Sequence, residues 1–316
     1  MVAGTFEDAP REPVLTAARP GNSIRDTRGD RIFNGFNYIL LTVYLVIVLY
    51  PLVYIVSASF SSPAAVTSGL VRLWPVDPTT IAYEAIFKDP AIVRGFLNSI
   101  FYATVGTALN VTLTLLAAYP LSRKDLRGRG AIMVFFFFTT LFSGGLIPTY
   151  LVVRDLGLLN TRWALIVPTA LSVWNVIITR TYFQTTIPDE LHDAATIDGA
   201  NDFRFLRDVV LPLSGPIIAV NALFYAVGHW NAYFDALIYL NDESLYPLQL
   251  VLRQILVQNQ TNLKMTGDIQ SMLARENLAD LLKYALIVVA TVPLLLVYPF
   301  VQKHFVKGAL IGSLKG

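Results

Sequence analysis

Of 316 residues only 15% are charged and 54% are apolar, with a mean hydropathy of +0.55. A soluble surface ordinarily takes about 25% charge, so the composition excludes an ordinary soluble domain. The formal net charge of +2 leaves no electrostatic footprint for nucleic acid, and the absence of cysteine excludes disulfides, thiolate metal sites and cysteine nucleophiles.

The chain opens with Arg11, Arg19, Arg25, Arg28 and Arg31 mixed with acids, and no short apolar stretch there ends in a small-residue cleavage site. A cleaved signal peptide is not expected, and residues 1–35 read as a solvated arm. Charge-free runs then cover 32–71, 95–122, 130–153, 163–179, 209–234 and 284–302. Each reaches the roughly 17–25 residues that a bilayer-spanning helix needs. They predict six spans near 36–58, 96–121, 131–153, 163–185, 214–238 and 281–302. The runs are continuous rather than alternating, which excludes a strand barrel. The expected class is all-α, a polytopic membrane protein with six transmembrane helices over 36–303 and a terminal tail at 304–316.

Lysine and arginine set the orientation. The flanks 1–35, 122–130, 180–213 and 303–316 carry 15, against 8 on the opposite flanks 58–97, 153–162 and 238–279, over 92 residues each. Both termini are therefore expected in the cytoplasm, and the long loops 59–95 and 239–280 outside, where loops of such length are functional or disordered. Pro51, Pro120, Pro148, Pro168, Pro293 and Pro299 fall in or near the spans. They predict packing kinks, with flexing points of a gate as the alternative.

The segment 186–213, TIPDELHDAATIDGANDFRFLRDVVLPL, carries the most local signal. Thr186 and Asp189 around Pro188 predict a helix start, and Gly199 a left-handed end to a short helix over 189–198. Asn201 or Asp202 can cap a second helix with Phe203, Leu206 and Val210 on one face, closed by Leu211-Pro212 before Pro216 opens the next span. Ala194 and Ala195 are expected to be exposed for close approach. The residues alone leave open an interfacial loop without a partner.

This wording resembles the EAA loop of ATP-binding-cassette importer permeases: Glu-Ala-Ala, three residues, Gly, nine residues, Ile, one residue, Leu-Pro. Here it reads Asp193-Ala194-Ala195, three residues, Gly199, nine residues, Val209, Val210, Leu211-Pro212, with Asp in place of Glu and Val in place of Ile. The C-terminal VKGALIGSLKG resembles the tail of the maltose-type carbohydrate-uptake branch. GHWNAYFDALIYL (228–240) and GGLIPTYLVVRDLGLLNT (144–161) look closest to its permeases for complex oligosaccharides. The likeness covers about 95–316 well. It implies a type I importer permease fold with its core over 95–303 and a coupling loop at 186–213 that docks on an ATPase through Glu190, Asp193, Ala194, Ala195, Gly199, Leu211 and Pro212. It also implies that Lys307, Gly308, Gly312 and Lys315 reach the ATPase pair.

The implied partners are a second permease subunit in a heterodimer, two ATPase subunits, an extracytoplasmic solute-binding protein, the lipid bilayer and a carbohydrate, in a bacterial cytoplasmic membrane. No cofactor is expected in this chain, because ATP and Mg would sit on the ATPase. Consistently, the sequence has no Gly-x-x-x-x-Gly-Lys-Ser/Thr phosphate loop.

Polar groups inside spans are costly unless paired or wetted. Trp174, Asn175, Trp230, Asn231, Tyr233 and Asp235 supply the aromatic faces and amide and carboxylate groups that bind sugars, and are the expected substrate pathway. Interhelical hydrogen bonding with an aromatic belt at the interface is the plainer alternative. His192, His229 and His304 are too scattered for a metal site, with His192 and His304 expected at the surface. The rival function is an ion-gradient-driven secondary transporter, for which Asp235 is nearly the only coupling candidate. A membrane enzyme would need convergent acid, base or metal residues, and none converge.

Overall fold

The computed structural model describes residues 27–262 and 281–299. The regular structure of these residues is entirely helical. The chain divides into two units, Met1–Pro51 and Leu52–Gly316.

The first helix, α1 (Arg28–Ser59), starts where Thr27 and Asp30 cap each other: the Asp30 amide donates to Thr27 Oγ1 (3.2 Å), and the Thr27 amide to Asp30 Oδ2 (2.9 Å). It continues through Pro51, and its residues are exposed as far as position 53.

In the second unit, α2 (Pro63–Thr67) and α3 (Ile81–Lys88) give the segment 59–95 a compact structure. Ser57 Oγ donates to the Leu73 carbonyl (2.7 Å), and the Val76 amide to Ser61 Oγ (3.0 Å). Asp89 then caps α4 (Pro90–Ser122), with Pro90 in the first turn, where a missing N–H costs nothing. One wide i→i+5 turn, Tyr102–Gly106, interrupts α4.

The third charge-free run is not one straight helix. It breaks into α5 (Arg129–Leu141) and α6 (Leu146–Asp155), bent by 115°, with Gly145 at φ +84° in the turn. The fourth run is helical only in α7 (Val173–Thr186), after a 3-10 turn at Arg162–Leu165 and an irregular stretch through Pro168. Then come α8 (Asp189–Ile197), α9 (Asp202–Leu213), α10 (Gly215–Asn231), α11 (Phe234–Tyr239), α12 (Leu248–Asn262) and α13 (Leu281–Pro299).

Among the described residues α1, α4 and α13 are long and apolar enough to cross a bilayer, and five candidates result if α5–α6 and α9–α10 each count as one bent span. Among the described residues the expected count of six is not reached, and two of the candidates are bent. Absence of charge marks residence in lipid, but Gly and Pro inside the run decide whether the helix survives.

Three apolar clusters hold the second unit. One joins Ile86 and Ile92 to Trp230, Leu248, Leu281 and Leu286. A second joins Leu115, Val176, Phe183, Phe205 and Val210. The third packs Tyr102 with Val153, Ile166, Tyr239 and Leu250.

Candidate functional site

The two-helix loop forms largely as its residues dictate. Gly199 is left-handed (φ +77°), and the backbone closes a Schellman end: the Gly199 amide donates to the Thr196 carbonyl (3.0 Å) and Ala200 to Ala195 (2.9 Å). Asn201, not Asp202, is the cap, its Oδ1 accepting from the Arg204 amide (2.8 Å). The start of α8 has no side-chain cap, because the capping position is Pro188, and Asp189 in the first turn instead accepts from Lys124 Nζ (2.6 Å). That hydrogen bond holds the Asp189 carboxyl below its ordinary pKa. Leu211-Pro212 does not end α9, which runs on to Leu213. A wide turn at Leu206–Val210 precedes Pro212, whose ring would otherwise crowd the carbonyl four residues back.

The buried face of α9 is Phe205, Leu206 and Val210, whereas Phe203 points out, 68% exposed. Ala194 is exposed, but Ala195 is half-buried against the second cluster, as is Leu211. Glu190, Asp193, Gly199 and Pro212 are exposed. Leu191 and Ile197 (86% exposed) give this charged loop an apolar outer rim. Lys307, Gly308, Gly312 and Lys315 lie outside the described residues.

The loop's base is anchored to the end of α4, which sequence reasoning missed. Arg180 Nε donates to the Leu121 carbonyl (2.9 Å) and Gln184 Nε2 to Ser122 (3.2 Å), satisfying carbonyls that a helix end leaves free. His192 is not a loose surface group. Its ring stands edge-on to Phe205, at 5.1 Å between centroids, between Arg123 and Asp202.

A second feature is a cavity of about 530 Å³ bounded by α4, α7, α10, α11 and the irregular stretch before α7. Trp174, Asn175 and Asp235 line it. Asn110, Tyr225 and His229 line it too, although sequence reasoning gave them no role. Asn110 Nδ2 donates to the Thr169 carbonyl (3.0 Å) and lies 3.2 Å from His229 Nε2, while Asn110 Oδ1 is buried without a partner. The Tyr225 hydroxyl accepts from the Ser172 amide (3.0 Å) and pairs with Thr114 (2.7 Å). Asn175 is buried, and its carbonyl accepts from Thr179 (2.6 Å). Trp174 is 65% exposed.

Trp230 does not join this group. It is buried against Phe96, and its indole N–H donates to the Ala290 carbonyl of α13 (2.9 Å), the plainer interhelical role. Asn231 and Tyr233 are exposed at the break between α10 and α11 and do not line the cavity. Among the described residues no three His, Asp or Glu side chains converge to hold a metal ion.

The family of binding-protein-dependent transport system inner membrane components matches residues 15–310. This chain belongs to that family. It is 46% identical over 288 residues to the polygalacturonan/rhamnogalacturonan transport system permease protein YtcP of Bacillus subtilis (strain 168), covering 91% of this chain and 99% of the relative. Identity to protein LplC of the same organism is 42% over 295 residues, covering 93% and 99%. Its fold superposes on a chain from the crystal structure of a bacterial ABC transporter involved in the import of the acidic polysaccharide alginate, with TM-score 0.81, 36% identity and coverage of 90% and 100%.

As a transport-system inner membrane component, this family member is a permease subunit and not an enzyme. The ion-gradient transporter and membrane-enzyme readings therefore fall away.

Proposed function

We propose that this permease is one of two subunits of an ATP-driven importer for an oligosaccharide, working with two ATPase subunits and an extracytoplasmic binding protein. Both termini and the loop 186–213 face the cytoplasm, and the cavity bounded by α4, α7, α10 and α11 belongs to the path of the sugar. The observation that carries the reading is the outer rim of α8 and α9. Leu191, Ala194, Ile197 and Phe203 stand exposed on a segment otherwise built from charged residues. An apolar rim of this kind on a charged loop marks a protein contact.

Relatives that handle polygalacturonan, rhamnogalacturonan and alginate support a sugar as cargo. The cavity fits that cargo: Trp174 offers an aromatic face, and Asn110, Asn175 and Asp235 offer amide and carboxylate groups for hydroxyls. Binding of ATP would draw the coupling loops of the two permeases together and open the cavity outward, and hydrolysis would reset it.

Gly199→Leu tests the docking role. The position has nothing within 4 Å of an added Cβ, so the change acts through the left-handed backbone alone. Strain of about 1–2 kcal/mol is expected there, enough to re-aim α8 against α9. The variant should insert normally but retain less of the ATPase during purification of the complex. Retention equal to the parent chain's would count against the docking role of this turn.

A further inference from the structure

Arginine carries only donors, so a histidine nitrogen facing it must be the acceptor. Arg123 Nη2 lies 2.9 Å from His192 Nδ1, which places the ring proton on Nε2, facing Asp202 Oδ1 at 3.4 Å. Arg123 is itself aimed by Asp125, 3.2 Å from its Nε, and its carbonyl is held by Arg129 Nη1 (3.0 Å). The Tyr119 hydroxyl of α4 reaches the same oxygen of Asp202 (3.5 Å). Phe205 supports the imidazole edge-on. The chain Arg123–His192–Asp202 thus runs from the segment after α4 through α8 to α9.

We propose that this chain of three residues is a strut that positions the coupling loop on the end of α4, and that it holds only while His192 is neutral. It rests on the docking role assigned above to the loop. The charged groups at the ring are Arg123 from the segment after α4, Asp189 and Asp193 from α8, and Asp202 from α9; Tyr119 of α4, Lys124 and Asp125 lie one contact further out, on Asp202, Asp189 and Arg123. A proton on Nδ1 removes the acceptor and sets an imidazolium against the Arg123 guanidinium. The ring keeps attractive partners within its own loop: Asp202, and Asp193, whose Oδ1 lies 3.9 Å from Nδ1. Protonation therefore transfers His192 from α4 to the loop's own acids. The loop keeps its internal fold and its Lys124–Asp189 bridge but loses the strut at His192, which would leave α8 and α9 less firmly aimed on the α4 end.

The strut is to be read in acidic and in alkaline buffer. The chain has no cysteine, so spin labels at Arg127→Cys and Asp198→Cys, both exposed, would report the distance from the α4 end to the loop in the purified complex. The parent chain should give one narrow distance at the alkaline end and a broadened or split one at the acidic end. In His192→Gln the amide oxygen can accept from Arg123 and the amide nitrogen donate to Asp202 without titrating, so the distance should stay narrow throughout. His192→Leu should be broad throughout. A parent profile as flat as that of His192→Gln, or a narrow distance in His192→Leu, would overturn the strut. If the ATPase subunits do not co-purify with the parent chain, the docking role itself fails. If they do and the distances ignore His192, only the strut fails.

Discussion

At the residue scale, two glycines that look alike in sequence have opposite environments. Gly199 needs its left-handed backbone but has open space around it, whereas Gly106 needs the space. A Cβ on Gly106 would stand 2.5 Å from His229 Nε2, so the imidazole that lies beside Asn110 would have to move. Gly106→Ala should therefore destabilise the complex by roughly 1–3 kcal/mol, the usual cost of overpacking. Gly228→Ala, where nothing lies within 4 Å, should be neutral or slightly stabilising. Thermal unfolding of the detergent-purified complex separates them, and equal midpoints would contradict the close approach of α4 and α10. None of this was legible in the sequence, because Gly106, in the turn at Tyr102–Gly106, and the His229 ring it accommodates are 123 residues apart. Asn110 did leave a signal. It and Asn98 are the two amides of the run 95–122, and each must be paired or wetted in lipid.

At the scale of elements, α10 explains why the residues expected on the substrate pathway do not all line one cavity. Successive helical residues turn by about 100°, so His229 and Trp230 cannot share a face. His229 meets α4 beside the cavity, while Trp230 meets α13. Composition shows that both are present and says nothing of which direction each takes. Trp230→Phe should keep the contact with Phe96, lose the bond to Ala290 and cost about 1 kcal/mol of stability. Import should continue at the parent rate once protein amounts are matched, and a loss of import without a loss of stability would return Trp230 to the pathway. The spans show the same limit. Pro168 and the glycines at 144 and 145 lie inside charge-free runs, and a count of charges passes over them. What tolerates the irregular stretch through Pro168 is visible only in three dimensions: Asn110 of α4 supplies the hydrogen bond that the Thr169 carbonyl would otherwise lack. The loop 186–213 was the most legible element, because caps, a left-handed glycine and small residues act locally.

At the scale of the whole molecule, α4 connects every feature with a proposed role. Its 33 residues extend about 50 Å at 1.5 Å each. At one end Asn98 Nδ2 donates to the Ser244 and Tyr246 carbonyls (2.8 and 3.0 Å), and the Tyr102 hydroxyl to Leu245 (2.8 Å). In the middle Asn110 lines the cavity and Gly106 makes room for His229, and at the other end Leu121, Ser122 and Arg123 hold α7 and α8. A helix held at both ends and at the cavity can pass a displacement of the coupling loop to the rest of the unit. The account therefore stands on which partner the loop touches. The direct measurement is site-directed cross-linking in membranes where import runs, using a short cysteine-reactive bifunctional reagent on single cysteines introduced at Ala194, Ile197 and Asn241. The account predicts a covalent product with the ATPase subunit from Ala194→Cys and Ile197→Cys and none from Asn241→Cys. A product from Asn241→Cys, or none from Ala194→Cys, would contradict it.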